Sequence, residues 1–446
     1  MVFGIDLGTT NSLIGAGDEL YTGLISSAVD LSINDTVPHN YYGDRIIQSY
    51  KTDMGLGNSN EIARMCSSVV LRKLAKIAER RTSEECKEVC VSVPAYFSST
   101  QREAVSQSAE KAGLTVRRII NEPVAAAIAV CRNNKQFVCV YDLGGGTFDV
   151  TLIDAREGRY ETVATDGMVL GGDDLDDALR KHVINKARIP IRKRKQEAMD
   201  KLRNEVRDAK KALQHGSSVY DIDLAFMDVD AVYSLTVEDY KKIEFELFEP
   251  TITKTLNLIN GYVPTYDKNN IKMIYTGGST YCPFLQEHLH ERIDIEEIKY
   301  STERDKLVAQ GIAIVAKMVE EGNDEALITN VTKRLSLQLH SGAAYTVFSE
   351  NTVIPAENKI IINNTQETDV VHIDIYQGND IFVINNEYIG TLEYNYGKTV
   401  LPSMGILTLK VSVSYDGIVD VSAFELALGE ASIQRAQFKL NEVLKR

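Results

Sequence analysis

The chain has 446 residues, 44% hydrophobic and 25% charged, which makes it a globular protein of more than one domain. Its net charge of −14 is spread along the length and excludes a nucleic-acid-binding class, because that affinity comes mainly from Lys and Arg neutralising phosphates. No apolar run reaches the ~18 residues that span a bilayer, and Met1 leads straight into a strand-like run, so neither membrane insertion nor secretion is expected.

In chain order, Val2 to Ile5 and Ser12 to Ala16 are short apolar runs joined by DLGTT, which predicts a hairpin whose turn faces a ligand. Glu61 to Arg81 carries Ile62, Met65, Val69, Leu74 and Ile77 at helical spacing and predicts a long amphipathic helix. Val89 to Val93 reads as a buried strand stopped by Pro94. Thr100 to Ala112 reads as a helix with Ser99 or Thr100 at its N-cap and Gly113 at its end. Asn121-Glu122-Pro123 opens an Ala-rich helix, Val124 to Val130. Phe137 to Tyr141 then meets a second DLG, with Val150 to Ile153 as hairpin partner. Lys193 to Leu213 reads as a charged helix. The one basic run, Arg192-Lys193-Arg194-Lys195, is its solvated start rather than a targeting signal. Ile271 to Tyr275 is a strand ending in Thr276-Gly277-Gly278-Ser279, and a helix over 305–321 closes this half.

Gly322-Asn323-Asp324 marks a boundary. Beyond it, Asp369 to Tyr376 and Ile406 to Val413 alternate with turn signals such as Gln377-Gly378-Asn379-Asp380 and Tyr415-Asp416-Gly417, the pattern of an all-β domain. After Gly429 helical character returns, so 431–446 is expected to be a short helix. The cysteines, Cys66, Cys86, Cys90, Cys131, Cys139 and Cys282, sit in apolar or helical settings. Cys86 and Cys90 have helical i,i+4 spacing, yet no second pair or nearby His completes a zinc site. All are expected to be reduced structural thiols of a cytosolic protein.

The unit strand, DLG, strand thus occurs twice, and two α/β copies facing each other form a cleft with one turn on each wall. A Gly-rich turn lets backbone N–H groups approach phosphate oxygens because no Cβ intervenes. Gly8-Thr9-Thr10-Asn11 and Gly144-Gly145-Gly146-Thr147 fit that role, and a carboxylate at each strand tip, Asp6 and Asp142, can hold Mg²⁺. Hydrolysis further needs a positioned water, a cation for the moving phosphoryl group and a nearby carboxylate. A single DLG is more often only a turn after a strand; the order and spacing of the pieces carry the specificity.

Taken together, these pieces resemble the Hsp70 chaperone family across nearly the whole chain. The resemblance is carried by GIDLGTTNS (4–12), VSVPAYFSSTQR (91–102), IINEPVAAAIA (119–129), YDLGGGTFDVT (141–151), LGGDDLD (170–176), AKKAL (209–213) and TGGST (276–280). In the β part it rests on NTVIP (351–355), IYQGND (375–380) and DGIVDVSAFE (416–425). Actin, sugar kinases and exopolyphosphatases share the phosphate loops, but not VPAYF or NEPVAAAIA with a β part attached. The shortened nucleotide domain and QSYKTDMG resemble the specialised bacterial branch.

The resemblance implies an α/β, actin-like, two-lobed ATPase domain, a duplicated ribonuclease H-like unit, over 1–322, with a linker over 323–332. An all-β sandwich that binds unfolded peptide follows over 333–430. It implies ATP, ADP and Mg²⁺ as cofactors, and a J-domain co-chaperone and a nucleotide exchange factor as partners of a monomer with no nucleic acid or membrane. Asp6 and Asp142 would hold Mg²⁺ through water, and Gly8 to Asn11 with Gly144 to Thr147 would cradle the phosphates. Lys51, otherwise an ordinary surface lysine, would reach the γ-phosphate and the attacking water. Glu122 and Asp149 would orient that water and accept its proton, and Thr9 and Thr147 would position the phosphoryl group. Gly172, Lys210, Lys211, Gln214, Gly277, Gly278, Ser279, Tyr281 and Asp305 would surround the rest of the nucleotide. Pro94 and Arg102 would relay nucleotide state to the second domain, although Pro94 also serves simply to end a strand. Leu339, Ile362 and Val371 match the apolar lining of the peptide groove, where plain sandwich core is the competing explanation.

Departures from the family pattern fall in three places. Its ribose-holding acid is Arg207 here, its adenine-contacting serine is Gln214, and its base-stacking arginine is Tyr281, so nucleotide binding is expected to be weaker than the family's. The linker, Asp324-Glu325-Ala326-Leu327-Ile328-Thr329, is only partly apolar, so docking as an edge strand is expected to be weak. Only 16 residues follow Glu430, where most of the family has a helical lid, so peptide exchange is expected to be fast.

Overall fold

The computed structural model describes residues 1–38, 45–55, 57–131, 136–156, 160–190, 195–262, 271–292, 295–297, 303–323, 327–330, 334–339, 341–349, 352–414 and 418–437. Strand β1 (Val2–Asp6) turns through the first DLG into antiparallel β2 (Asn11–Ala16). Helix α1 (Asn60–Thr82), β3 (Glu88–Val93), α2 (Ser99–Lys111) and β4 (Thr115–Asn121) complete the first lobe. Its sheet runs β2-β1-β3-β4, with β1, β3 and β4 parallel. All of β1 is buried, as a parallel strand covered by helices on both faces requires.

The second lobe repeats this plan. After α3 (Glu122–Val130) come β5 (Phe137–Leu143), β6 (Phe148–Asp154), β7 (Tyr160–Met168), α4 (Gly172–Lys186), α5 (Gln196–Gln214) and α6 (Val237–Tyr262). They are followed by β8 (Ile271–Thr276), α7 (Pro283–Arg292) and α8 (Leu307–Glu320). Strand β5 is antiparallel to β6 and parallel to β8, as β1 is to β2 and β3. Asp142 therefore lies beside Thr276 as Asp6 lies beside Ser92, and the sequence repeat is also a structural one.

Helices α3 and α8 pack between the two sheets in one apolar core that takes Val2 and Cys90 from the first lobe and Val138, Val140 and Ile274 from the second. Two glycines permit that contact. A Cβ on Gly4 would stand 2.3 Å from Ile312 O, and one on Gly311 would stand 1.8 Å from Ala125 O.

Past α8, β9 (Leu327–Asn330) pairs parallel with β7 through Tyr160↔Leu327 and Glu161↔Ile328. Strand β9 thus lies on the second lobe's sheet; 324–326 and 331–333 lie outside the described residues. Strands β10 (Leu335–Gln338), β11 (Ala344–Phe348), β12 (Val353–Ile354), β13 (Ala356–Asn363), β14 (Thr368–Gln377), β15 (Glu387–Val400), β16 (Ile406–Val413), β17 (Val419–Glu425) and β18 (Gln434–Gln437) follow. They form two antiparallel sheets, β11-β10-β14-β15 and β13-β16-β17-β18, around a core of residues such as Leu337, Ile375, Leu409 and Val421. Strand β12 instead pairs with β9.

Three local expectations are corrected. The stretch after Gly429 is a 3₁₀ turn, Gly429–Ser432, and then β18, which pairs with β17 from Asp420↔Gln437 to Ala423↔Gln434. An open sheet edge thus overrides the helical pattern; 438–446 lie outside the described residues. The N-cap of α2 is Ser98, whose hydroxyl accepts from Gln101 N while the Gln101 side chain accepts from Ser98 N, a capping box one residue earlier than expected. Cys90 is in β3 and Cys86 precedes it, so their spacing is not helical; all the cysteines are buried and free. Of the basic run, Arg192 to Arg194 lie outside the described residues. Among the described residues no helix is long and apolar enough to cross a membrane.

Candidate functional site

The two DLG turns face each other across an open cleft lined by residues of both lobes. Each turn is drawn tight by its own residues. Gly8 N donates to Ser12 Oγ at 3.1 Å, Ser27 Oγ donates to Gly8 O at 2.7 Å, and Gly144 N donates to Thr147 O at 3.0 Å. A Cβ on Gly8 would fall 2.0 Å from Asn11 O, and one on Gly145 would fall 2.3 Å from Thr10 Oγ1 on the opposite wall. Only glycine lets the walls approach this closely, which leaves backbone N–H groups lining the gap.

Of the expected residues, Asp6, Gly8, Thr9, Thr10, Asn11 and Lys51 line the cleft from the first lobe. Glu122, the residue after β4, also lines it, and Asp142, Gly144, Gly145, Thr147, Gly277, Gly278 and Asp305 line it as well. Gly146 stands across from Thr9, where an added Cβ would meet its Cγ2 at 3.8 Å. Asp149 is buried behind Asp142, its cross-strand partner. Lys51 is 3% exposed, forms an ion pair with Glu122 and lies 5.8 Å from the Phe97 ring centroid.

Burial first, then the charge of Glu122, pushes the Asp6 carboxyl up to about 6, against Lys51 and the Ser92 hydroxyl, which donates to Asp6 Oδ1 at 2.8 Å. Asp142 and Asp149 are held well above the usual carboxylate range, again by burial and then by neighbouring carboxylates. Among the described residues, Thr10 Oγ1, Asp149 Oδ1 and Asp305 Oδ1 are buried with no hydrogen-bond partner.

The remaining expected residues form a layer behind the cleft. Ser279 Oγ donates to Gly144 O at 2.9 Å and Gly172 N donates to the same oxygen at 3.0 Å, while Lys210 pairs with Asp176. Gln214 Nε2 donates to Tyr240 Oη and Cys282 Sγ, Lys211 is exposed, and Tyr281 is 44% exposed at the rim. Arg207 joins α4 to α5 through Asp173 at 3.0 Å and Asp176 at 2.6 Å. Arg102 donates to Phe97 O at 3.3 Å and to Asn121, the residue before Glu122; Pro94 ends β3. Ser98 and Thr100 also donate to Glu387 of β15, so the start of α2 touches the sandwich. In the sandwich, Ile362 and Val371 pack against the core, and Leu339 is 44% exposed.

Sequence reasoning did not single out Leu24, Arg304 and Val308, and gave Thr276 no role of its own; all four also line the cleft. Nor did it single out Ser92, or Tyr96, whose hydroxyl is pushed up by burial and then by Asp149, and hydrogen-bonds Thr147. Both lie inside the quoted VSVPAYF run, where a hydroxyl next to a strand tip was the available signal.

A duplicated α/β unit with a Gly-rich turn on each wall of a cleft, joined to a β-sandwich, is the architecture of a two-lobed, actin-like ATPase with an appended domain. A family model described as Hsp70 protein matches residues 45–443. Chaperone protein DnaK of Mycoplasma mobile is 30% identical over 461 aligned residues, covering 95% of this chain and 76% of that protein. The chain belongs to the Hsp70 family of ATP-dependent chaperones, whose members are ATPases that bind nucleotide, unfolded clients and co-chaperones.

Proposed function

We propose that ATP lies between the two turns and that its hydrolysis to ADP and phosphate governs the grip of the β-sandwich on extended polypeptide. The observation that carries this reading is the pair of Gly turns in contact across the cleft, with Lys51 and Glu122 between them. Backbone N–H groups of 9–11 and 145–147 bind the phosphates, while those of Gly8 and Gly144 hold the turns closed, and Thr9 and Thr147 position the terminal phosphate. Lys51 supplies positive charge where it develops on the moving phosphoryl group. Glu122 and Asp149 orient the attacking water and accept its proton.

The donors are all oxygens, which suits a hard cation. No three Asp, Glu, His or Cys side chains among the described residues converge at ligand distance, which favours Mg²⁺ held through water by Asp6 and Asp142. When bound, Mg²⁺ supplies charge neutralisation on the phosphates.

Arg102 and the Ser98–Glu387 contact connect the residue before Glu122 with the sandwich, and with Pro94 they form the relay. Residues 1–322 act as the ATPase, 323–332 as linker and 333–430 as the client domain, with Leu339, Ile362 and Val371 in its groove. A J-domain protein and an exchange factor complete the cycle. Single-turnover ATP hydrolysis tests the reading: Lys51→Ala should lose at least about a hundredfold in rate. Equal rates for Lys51→Ala and wild type would refute it.

A further inference from the structure

Glu244, on α6, is 1% exposed, and among the described residues both of its carboxyl oxygens are buried without a hydrogen-bond partner. On its own helix it faces the Tyr240 hydroxyl, and on the segment between β8 and α7 the Cys282 thiol. From α7 it meets Leu285 N and the like charge of Glu287, and from β5 the Tyr141 hydroxyl. None of these groups is a cation. Lys210 of α5 faces Cys282, but it is committed to Asp176 and Gly172 O. A carboxylate buried without a cation is costly, and burial pushes this one up to about 7 from an ordinary 4.5.

The same cluster ties together elements that border the cleft. Gln214, the last residue of α5, donates from Nε2 to Tyr240 Oη at 3.0 Å and to Cys282 Sγ at 2.8 Å. Tyr240 Oη and Cys282 Sγ lie 3.2 Å apart. Cys282 follows the turn Gly278–Tyr281, whose Ser279 Oγ donates to Gly144 O, so the seam is one bond away from a Gly turn of the cleft. From the same α5, Lys210 Nζ donates to Gly172 O at 3.4 Å. The cluster around Glu244 thus holds α5 and the 277–282 segment against α6, next to the cleft-lining Gly144, Gly277 and Gly278.

We propose that Glu244 is a proton-operated positioning residue for the nucleotide: protonated, it lets α5 and the 277–282 segment close on α6, and ionised, it parts that seam and speeds nucleotide release. The inference rests on the ATP reading of the cleft and adds its regulation. A charge so deeply buried is hydrated only if water enters between α6 and its neighbours, so ionisation favours the parted state. Closure is favoured fully below about pH 4.5 and loses that support as pH rises through 7. Between pH 6 and pH 8 the balance moves by about tenfold.

The test is release of ADP, fluorescently labelled on its ribose, from the full chain with Mg²⁺ on adding excess unlabelled ADP. Wild type should release it about tenfold faster at pH 8 than at pH 6. Glu244→Gln, neutral at every pH, should change by less than about threefold, which is what Asp6, pushed up to about 6, and the other cleft carboxyls are left to contribute. Tyr240→Phe removes a hydroxyl that favours the ionised carboxylate, so the midpoint of its release profile should move to higher pH. A wild-type rate independent of pH, a larger rise in Glu244→Gln, or an unmoved midpoint in Tyr240→Phe would overturn the proposal, and the last needs no glutamine variant to fold. Wild type that binds no labelled ADP at either pH would overturn the ATP reading beneath it, an outcome distinct from a wrong pH profile.

Discussion

Replacing Gly311 by alanine tests whether the α3–α8 crossing sets the catalytic geometry. The added Cβ would stand 1.8 Å from Ala125 O, about 1.5 Å short of an ordinary contact, and both neighbours are backbone that cannot rotate away. The helices must part, at a cost of about 1–3 kcal/mol for overpacking. Ala125 lies one turn from Glu122, so the shift reaches the carboxylate that pairs with Lys51. Misplacing a catalytic group by ~1 Å costs about a hundredfold in rate. Single-turnover ATP hydrolysis should therefore fall by about that factor, alongside a denaturation midpoint lowered in keeping with about 1–3 kcal/mol. Gly261→Ala is the control: nothing lies within 4 Å of its added Cβ in the last turn of α6, and it should gain about 0.5–1 kcal/mol with unchanged turnover. A Gly311→Ala rate within threefold of wild type would refute the reasoning.

Three further outcomes are expected. Burial pushes the Glu244 carboxyl up to about 7 from an ordinary 4.5, so its stabilising contribution is full below about pH 4.5 and is lost as pH rises through 7. Denaturant unfolding should find Glu244→Gln close to wild type at pH 5 and more stable by about 3 kcal/mol above pH 8; the opposite pH trend would contradict the assignment. Arg207→Gln should lower stability by about 2 kcal/mol, because Asp176, 3% exposed, then keeps Lys210 as its one cationic partner among the described residues; an unchanged midpoint would show the α4–α5 clamp to be dispensable. The linker strand should exchange amide hydrogens much faster than the β5–β6 core even with ATP present, since β9 adds only two register pairs to β7. Protection of Leu327 and Ile328 equal to the core would show tight docking.

The two Gly turns that line the cleft were legible because their pattern is local. An Asp at a strand tip followed by Gly and Thr fixes both the turn and the donors, and the doubled motif places one turn on each wall. The capping box of α2 was equally local in S-x-x-Q, but the competing hydroxyls of Ser99 and Thr100 obscured which residue led. What stayed hidden depends on partners distant in sequence. Arg207 pairs with Asp173 and Asp176, 34 and 31 residues earlier in the chain, which no motif announces, and Arg304 belongs to no motif. The final strand shows the same limit: ASIQRAQ is compatible with a helix, and only the open edge of β17 decides otherwise.

The central claim is that one chain couples the cleft to the sandwich, and peptide release measures that coupling directly. A labelled extended peptide bound to the protein should dissociate at least about tenfold faster when ATP is added, and Lys51→Ala should still accelerate release on binding ATP while failing to return to the slow state. An identical release rate with and without ATP would contradict the account.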